Sequence, residues 1–193
     1  MSTTLNPEAI TTQTWQIDTA HTNVEFAVKH LMISTVKGRF GDVNGTLSGS
    51  LEDPADFTLD VTIDTQSIDT RQAQRDAHLR SPDFFDVENF PTIRFVGKSI
   101  KGDVTDEFTL VGELTIRDVT REIALDVTNE GSLTDPWGNA RIGFSAKTRI
   151  DRKDFGLQWN QALEAGGFVV GDEIKISVDV ELTAVAAEST VAA

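Results

Sequence analysis

From Trp15 to Leu182, apolar and polar side chains alternate with a period of two, the signature of strands with one buried face. In NVEFAVKH, Val24, Phe26, Val28 and His30 share one face, while Glu25 and Lys29 share the other. Phe57, Leu59, Val61 and Ile63 repeat the pattern, then Ile93 and Phe95, then Phe108, Leu110, Leu114 and Ile116. Ile123, Leu125 and Val127 follow, then Ile142, Phe144, Ala146 and Ile150, and finally Ile174, Ile176, Val178, Val180 and Leu182. The pattern predicts about eight or nine strands, several of them long. Gly38, Gly41, Gly45 and Gly49 predict bulges or sharp bends. Pro136 and Gly138 predict a turn in DPWGN.

Such strands leave sticky edges unless the sheet closes on itself. An eight-stranded antiparallel barrel removes the edges and leaves an interior for one ligand. A two-sheet sandwich has a similar pattern, so alternation alone leaves both open.

One stretch, Asp69 to Phe90, drops the rhythm: DTRQAQRDAHLRSPDFFDVENF. Gln, Ala, Arg and Leu cluster there and β-branched residues are scarce, which predicts a helix. Thr70 or Asp69 is the expected cap, with Gln72 just inside, and Ser81-Pro82 the expected stop. A helix from there to about Leu79 would carry Arg71, Arg75, His78 and Leu79 on one face. Phe84, Phe85 and Phe90 come next. A basic face beside aromatics suits a ligand with an anionic head and an oily body. Ion pairs to surface carboxylates, with the phenylalanines plugging a barrel end, explain the same residues without a ligand.

Composition narrows the function. The 193 residues, 39% of them hydrophobic, suit a single domain: a polar, mobile segment 1–13, a barrel over 14–183 and a small-residue tail 184–193. A net charge of −14 disfavours nucleic acid and anionic membrane as partners. There is no cysteine, hence no disulfide and no thiol chemistry. No stretch approaches a membrane span, and MSTTLNPEAITTQTW lacks a signal-peptide pattern, which predicts a cytoplasmic protein rather than an integral membrane one.

Reactive groups are few. His30 follows the apolar face of its strand, as a core polar group or a handle for a ligand head. His21 sits at a turn between strands, and the spacing of His21, His30 and His78 matches no metal motif. DRKDFG has paired carboxylates in a turn, Gly166-Gly167 reads as a hairpin rather than a phosphate loop, and Ser145 has no nucleophile elbow. No cofactor motif is present. Trp137 and Trp159 lie in loop-like surroundings, where either covers a barrel end or Trp159 lines the cavity.

HTNVEFAVKHLMISTVKGRF (His21–Phe40), RDAHLRSPDFFDVENFPTIRF (Arg75–Phe95), DPWGNARIGFSAKTRIDRKDFGLQWN (Asp135–Asn160) and GGFVVGDEIKISVDVEL (Gly166–Leu182) are, in this order, similar to the YceI-like family of lipocalin-like, polyisoprenoid-binding proteins. The resemblance spans Trp15 to Leu182. It implies an elongated antiparallel barrel with helical elements near its mouth and a long apolar cavity for an isoprenoid chain. On that reading Phe26, Val28, Phe40, Phe95 and Phe144 are wall contacts, and Arg75, His78, Phe84 and Phe85 come from the insert. His30 and Trp159 complete the candidate contacts. The expectation is a non-enzymatic carrier of an isoprenoid or other long-chain lipid, with a homodimer left open. The rivals are an enzyme using His30 and His78, and a structural barrel with a packed, ligand-free interior.

Overall fold

A computed structural model describes residues 13–49, 57–164 and 166–185. The strands are Gln13–Ile17 (β1), Asn23–His30 (β2), Ser34–Phe40 (β3), Val43–Gly49 (β4), Thr58–Asp64 (β5), Ile68–Asp69 (β6), Thr92–Gly102 (β7), Glu107–Ile116 (β8), Val119–Thr134 (β9), Ala140–Asp151 (β10) and Val170–Ala184 (β11); the α-helix is Ala73–Arg80 (α1). The terminal segments expected at 1–13 and 184–193 lie outside the described residues, apart from Gln13, Ala184 and Val185. Gln13 and Ala184 belong to strands, so the strand region extends one residue further at each end than alternation indicated.

Eleven strands make eight staves. β1 and β2 run end to end along β11, with Ile17 opposite Leu182 and Val24 opposite Val178. On their far side β4 pairs with β1 and β3 with β2. β5 then pairs with β4, and β6 with β3. So β1–β2, β3–β4 and β5–β6 are each one stave with a break in it. β5 pairs with β7, and β7 to β11 pair in sequence as unbroken staves, returning to the start. The ring closes, every neighbour is antiparallel, and the sandwich alternative is removed.

The breaks have a common chemistry. Aspartate side chains compete with ladder bonds by accepting from backbone two residues on. Asp18 accepts from the Ala20 amide at 3.0 Å and Asp64 from the Gln66 amide at 2.8 Å, each starting a short 3-10 turn. Between β3 and β4, the Asp42 carbonyl accepts the Asp64 amide at 2.9 Å, and the Gly41 amide donates to the Ser67 hydroxyl at 3.1 Å. The β3–β4 and β5–β6 interruptions therefore lie side by side and hold one another.

The glycines act differently from expectation. Gly41 does sit at a bend, but Gly38 is needed for space. A Cβ there would lie 2.7 Å from Phe26 Cε1, because the Phe26 ring lies flat over its cross-strand partner. Gly112 plays the same part for Phe95, whose Cε2 would be 2.7 Å from an added Cβ. Gly97 does so for Phe57, at 2.8 Å. Glycine shelves let large rings cover the wall without filling the lumen.

Helix α1 is shorter than the composition suggests. Arg71 has φ 62, a left-handed conformation, so the helix begins two residues later at Ala73. Gln72 caps it, accepting from the Arg75 amide. The stop falls at Ser81, as the Ser-Pro pair predicts, and a turn follows in which the Phe84 amide donates to the Ser81 carbonyl at 3.0 Å.

Candidate functional site

The inward faces of the staves enclose a cavity of about 290 Å³. Of the residues that line it, only Thr22, Glu25, Thr148 and Arg152 are polar. The lining on β11 runs from Val170 to Leu182, about 30 Å of barrel at the usual strand rise and tilt. It is a long apolar tube rather than a cleft with converging polar groups.

The insert forms one end. Phe85 meets the wall ring Phe40 edge-on with centroids 5.8 Å apart, and Phe40 in turn touches Phe26 at 5.8 Å. Leu79, Phe84 and Phe85 line the cavity from α1 and the turn after it. Phe84 also joins His78 and Trp159, which lie outside the lining, in a three-ring cluster, with His78 4.7 Å from Trp159 and 5.1 Å from Phe84. Each ring contact adds a fraction of a kcal/mol to about 1.5 kcal/mol beyond burial. Together they tie α1 to the chain after β10.

Arg152 anchors this end. It is 2% exposed and reaches the carbonyls of Gly171 at 2.9 Å, Leu157 at 2.5 Å and Trp159 at 2.9 Å, and Asp172 Oδ1 at 3.1 Å. A buried guanidinium survives only when its donors are used this fully. It carries a turn that places Phe155 and Leu157 as buried plugs. Residue type gave no hint of this, since arginine is rarely buried.

Beside the break between β1 and β2, Arg141 joins three carboxylates: Asp18 at 2.8 Å, Asp135 at 2.8 Å and Glu181. The Arg141 guanidinium, helped by His21, holds the Asp18 carboxyl down to about 2. Burial pushes Asp135 up, but bonds from Arg141, Asn139 and the Trp137 amide outweigh it and hold it well below the usual range. Asp18, His21 and Glu181 are the one set of metal-type donors brought together among the described residues. The Arg141 cation stands among them.

Seven expected contacts line the cavity: Phe26, Val28, Phe40, Phe84, Phe85, Phe95 and Phe144. Four do not: His30, Arg75, His78 and Trp159. His30 is the last residue of β2, opposite Val170 at the end of the cavity, and its side chain is not part of the lining. Arg75 turns back on its own loop, donating from Nε to Thr70 Oγ1 at 2.7 Å and from Nη2 to the Thr70 carbonyl at 2.8 Å. His78 pairs with Asp83 at 2.9 Å. With Arg71 outside the helix, the basic face expected on it does not assemble, and the three histidines stay apart.

The model of the YceI-like domain family matches residues 15–182. A UPF0312 protein of Staphylococcus aureus (strain MSSA476) is 36% identical over 167 residues, covering 86% of this chain and 95% of that protein. The crystal structure of the Campylobacter jejuni YCEI protein is similar at 32% identity and TM-score 0.68, over 80% of this chain and 88% of that one. A polyisoprenoid binding domain from Saccharophagus degradans, implicated in plant cell wall breakdown, shares the fold at 14% identity and TM-score 0.65, over 89% of this chain and 98% of that one.

Proposed function

The chain belongs to the YceI-like family, and we propose that it is a binding or carrier protein that shelters a long-chain isoprenoid or similar amphiphilic lipid in its barrel. The carrying observation is the cavity itself, about 290 Å³ with an almost wholly apolar lining. Burying one CH₂ is worth roughly 0.8 kcal/mol, so a five-carbon unit gains about 3–4 kcal/mol before ordering costs. A few such units supply tight binding with no reactive group. That matches a lumen lined by Phe95, Phe144 and β-branched residues, and the histidines stand outside it. The shared fold with the polyisoprenoid binding domain from Saccharophagus degradans agrees with this ligand class.

Native mass spectrometry after incubation with a polyprenol tests the reading. The intact chain takes up one chain of the lipid. Ala146, a buried residue of the lining, is the place to block it. Ala146→Phe fills the lumen and abolishes uptake while circular dichroism stays that of a folded barrel, and Val178→Phe repeats the test from the neighbouring stave. Uptake undiminished in both folded variants, or no uptake by the unaltered protein, overturns it.

A further inference from the structure

The charge of −14 is not spread evenly. A groove on the outer wall, crossing β3, β2, β11, β10 and the edge of β9, is floored by Ala27 and Ser177 and rimmed by Lys37, Lys147, Arg149 and Lys175, against Glu25 and Asp126. Lys37 and Lys175 flank Ala27 in one cross-strand row, and Arg149 is next in that row. Arg149 reaches Glu173 at 3.7 Å. The lysines 37, 147 and 175 make no ion pair among the described residues.

This face runs up to a rim of bare apolar side chains. The link between β2 and β3 is Leu31-Met32-Ile33, and Leu31 and Met32 both have left-handed φ, 51 and 62. Such hairpin turns ordinarily take Asn and Gly. Here the turn holds Met32 65% exposed and Ile33 84% exposed. The Leu31 amide donates to the Val169 carbonyl at 2.9 Å, which sets Phe168, 51% exposed, beside the same rim. Lys153 Nζ, paired with Asp172 at 2.7 Å, stands 5.8 Å from the Phe168 ring centroid. Trp137, in the turn between β9 and β10 at the other end of the barrel, is equally bare, and its amide donates to Asp135, a carboxylate that Arg141 neutralises.

From this juxtaposition we infer that the Met32–Ile33 hairpin and the lysine face beside it dock the protein on an anionic phospholipid bilayer. Apolar side chains with long cations next to them are the composition that sits at a headgroup boundary. Composition argued against such a partner through net charge. Screening makes the local balance decisive, because the Debye length in physiological salt is about 8 Å, and in the groove the four cations outnumber the two acids, Glu25 and Asp126. Each lysine near the surface then adds its own attraction. The inference concerns the outer surface and holds whatever the cavity carries.

Flotation of the full chain with vesicles tests it, comparing phosphatidylcholine alone with phosphatidylcholine plus phosphatidylglycerol. The protein floats with the anionic vesicles, and high salt weakens this. Lys37→Glu with Lys175→Glu lowers the vesicle affinity at least about tenfold. Met32→Ser with Ile33→Ser does so by a similar factor, about tenfold, through lost apolar burial. Trp137→Ser leaves it unchanged, and all variants keep the melting temperature of the parent. Failure to float with anionic vesicles, equal flotation with both vesicle types, or binding untouched by both double variants overturns the inference. So does loss of retention on immobilised polyglutamate in the lysine variant with no vesicle binding by the parent, which points to an acidic protein instead.

Discussion

The wall has two unlike halves. From β7 to β11 each stave is continuous, and its polar backbone is satisfied by the ladder with the neighbouring stave. From β1 to β6 each stave is broken near the same level, and aspartates and short turns replace ladder bonds. Both halves bury apolar residues inward on the same period. They differ in where the charged anchors sit. The continuous half has Arg152 where it ends, and Arg141, itself on β10 beside Asp135 and Glu181, reaches across to brace the Asp18 turn of the broken half. Regular alternation is enough to build a straight stave. Bending one in mid-wall requires side chains that take over its unpaired backbone groups.

The largest expected effect tests the anchor of the continuous half. Arg152→Met removes the guanidinium donors from the carbonyls of Gly171, Leu157 and Trp159, of which Leu157 is buried and the other two half-buried, and leaves Asp172 without its buried cation. A loss of about 3–5 kcal/mol is expected in urea unfolding. A loss under about 1 kcal/mol would mean that water reaches this end and that the contrast between the halves is drawn in the wrong place.

Arg141→Met tests the broken half. It lowers the melting temperature by about 5 °C or more at neutral pH, and hydrogen exchange rises first in β1 and β4. Acid gives the sign. The Asp18 carboxyl is depressed in the folded protein from an ordinary 3.8 to about 2, so its stabilisation is full above about pH 4 and is lost as pH falls through about 2. The deficit of the variant relative to the parent therefore narrows from pH 4 towards pH 2. A deficit that stays constant over this range would separate the arginine from the carboxylates it touches.

How much was legible follows from the same contrast. The inward sets on β7 to β11 were read correctly because period two is a backbone property, and the inward rings Phe26 and Phe95 came with it, whereas Phe40 was reached only through the family resemblance. The breaks were less visible. Asp18-Thr19 and Asp64-Thr65 each start a turn, and an Asp-Thr pair between apolar alternations was the available signal. The basic helix face failed for a local reason: helical spacing was counted from Arg71, whose left-handed backbone lies outside the helix. Thr70 then takes the guanidinium of Arg75, while its own hydroxyl and amide donate to buried Asp76. The plug built on Arg152 left no periodic trace, because it depends on carbonyls from a segment without regular structure.

The smallest effect compares the halves on equal terms. Gly38 in the broken half and Gly112 in the continuous half each lie under a phenylalanine ring. At Gly38 an added Cβ meets the ring of Phe26 and, at 2.7 Å, the Thr70 methyl, both of which are side-chain atoms able to shift. At Gly112 it meets the ring of Phe95 and also the Val96 carbonyl at 2.5 Å, which belongs to the ladder and cannot move alone. Gly112→Ala is therefore expected to cost about 2–3 kcal/mol and Gly38→Ala about 1 kcal/mol. Both push a ring into the lumen and reduce lipid uptake. If Gly38→Ala is the costlier of the two, the broken half is the stiffer one, and its bends are braces rather than points of give.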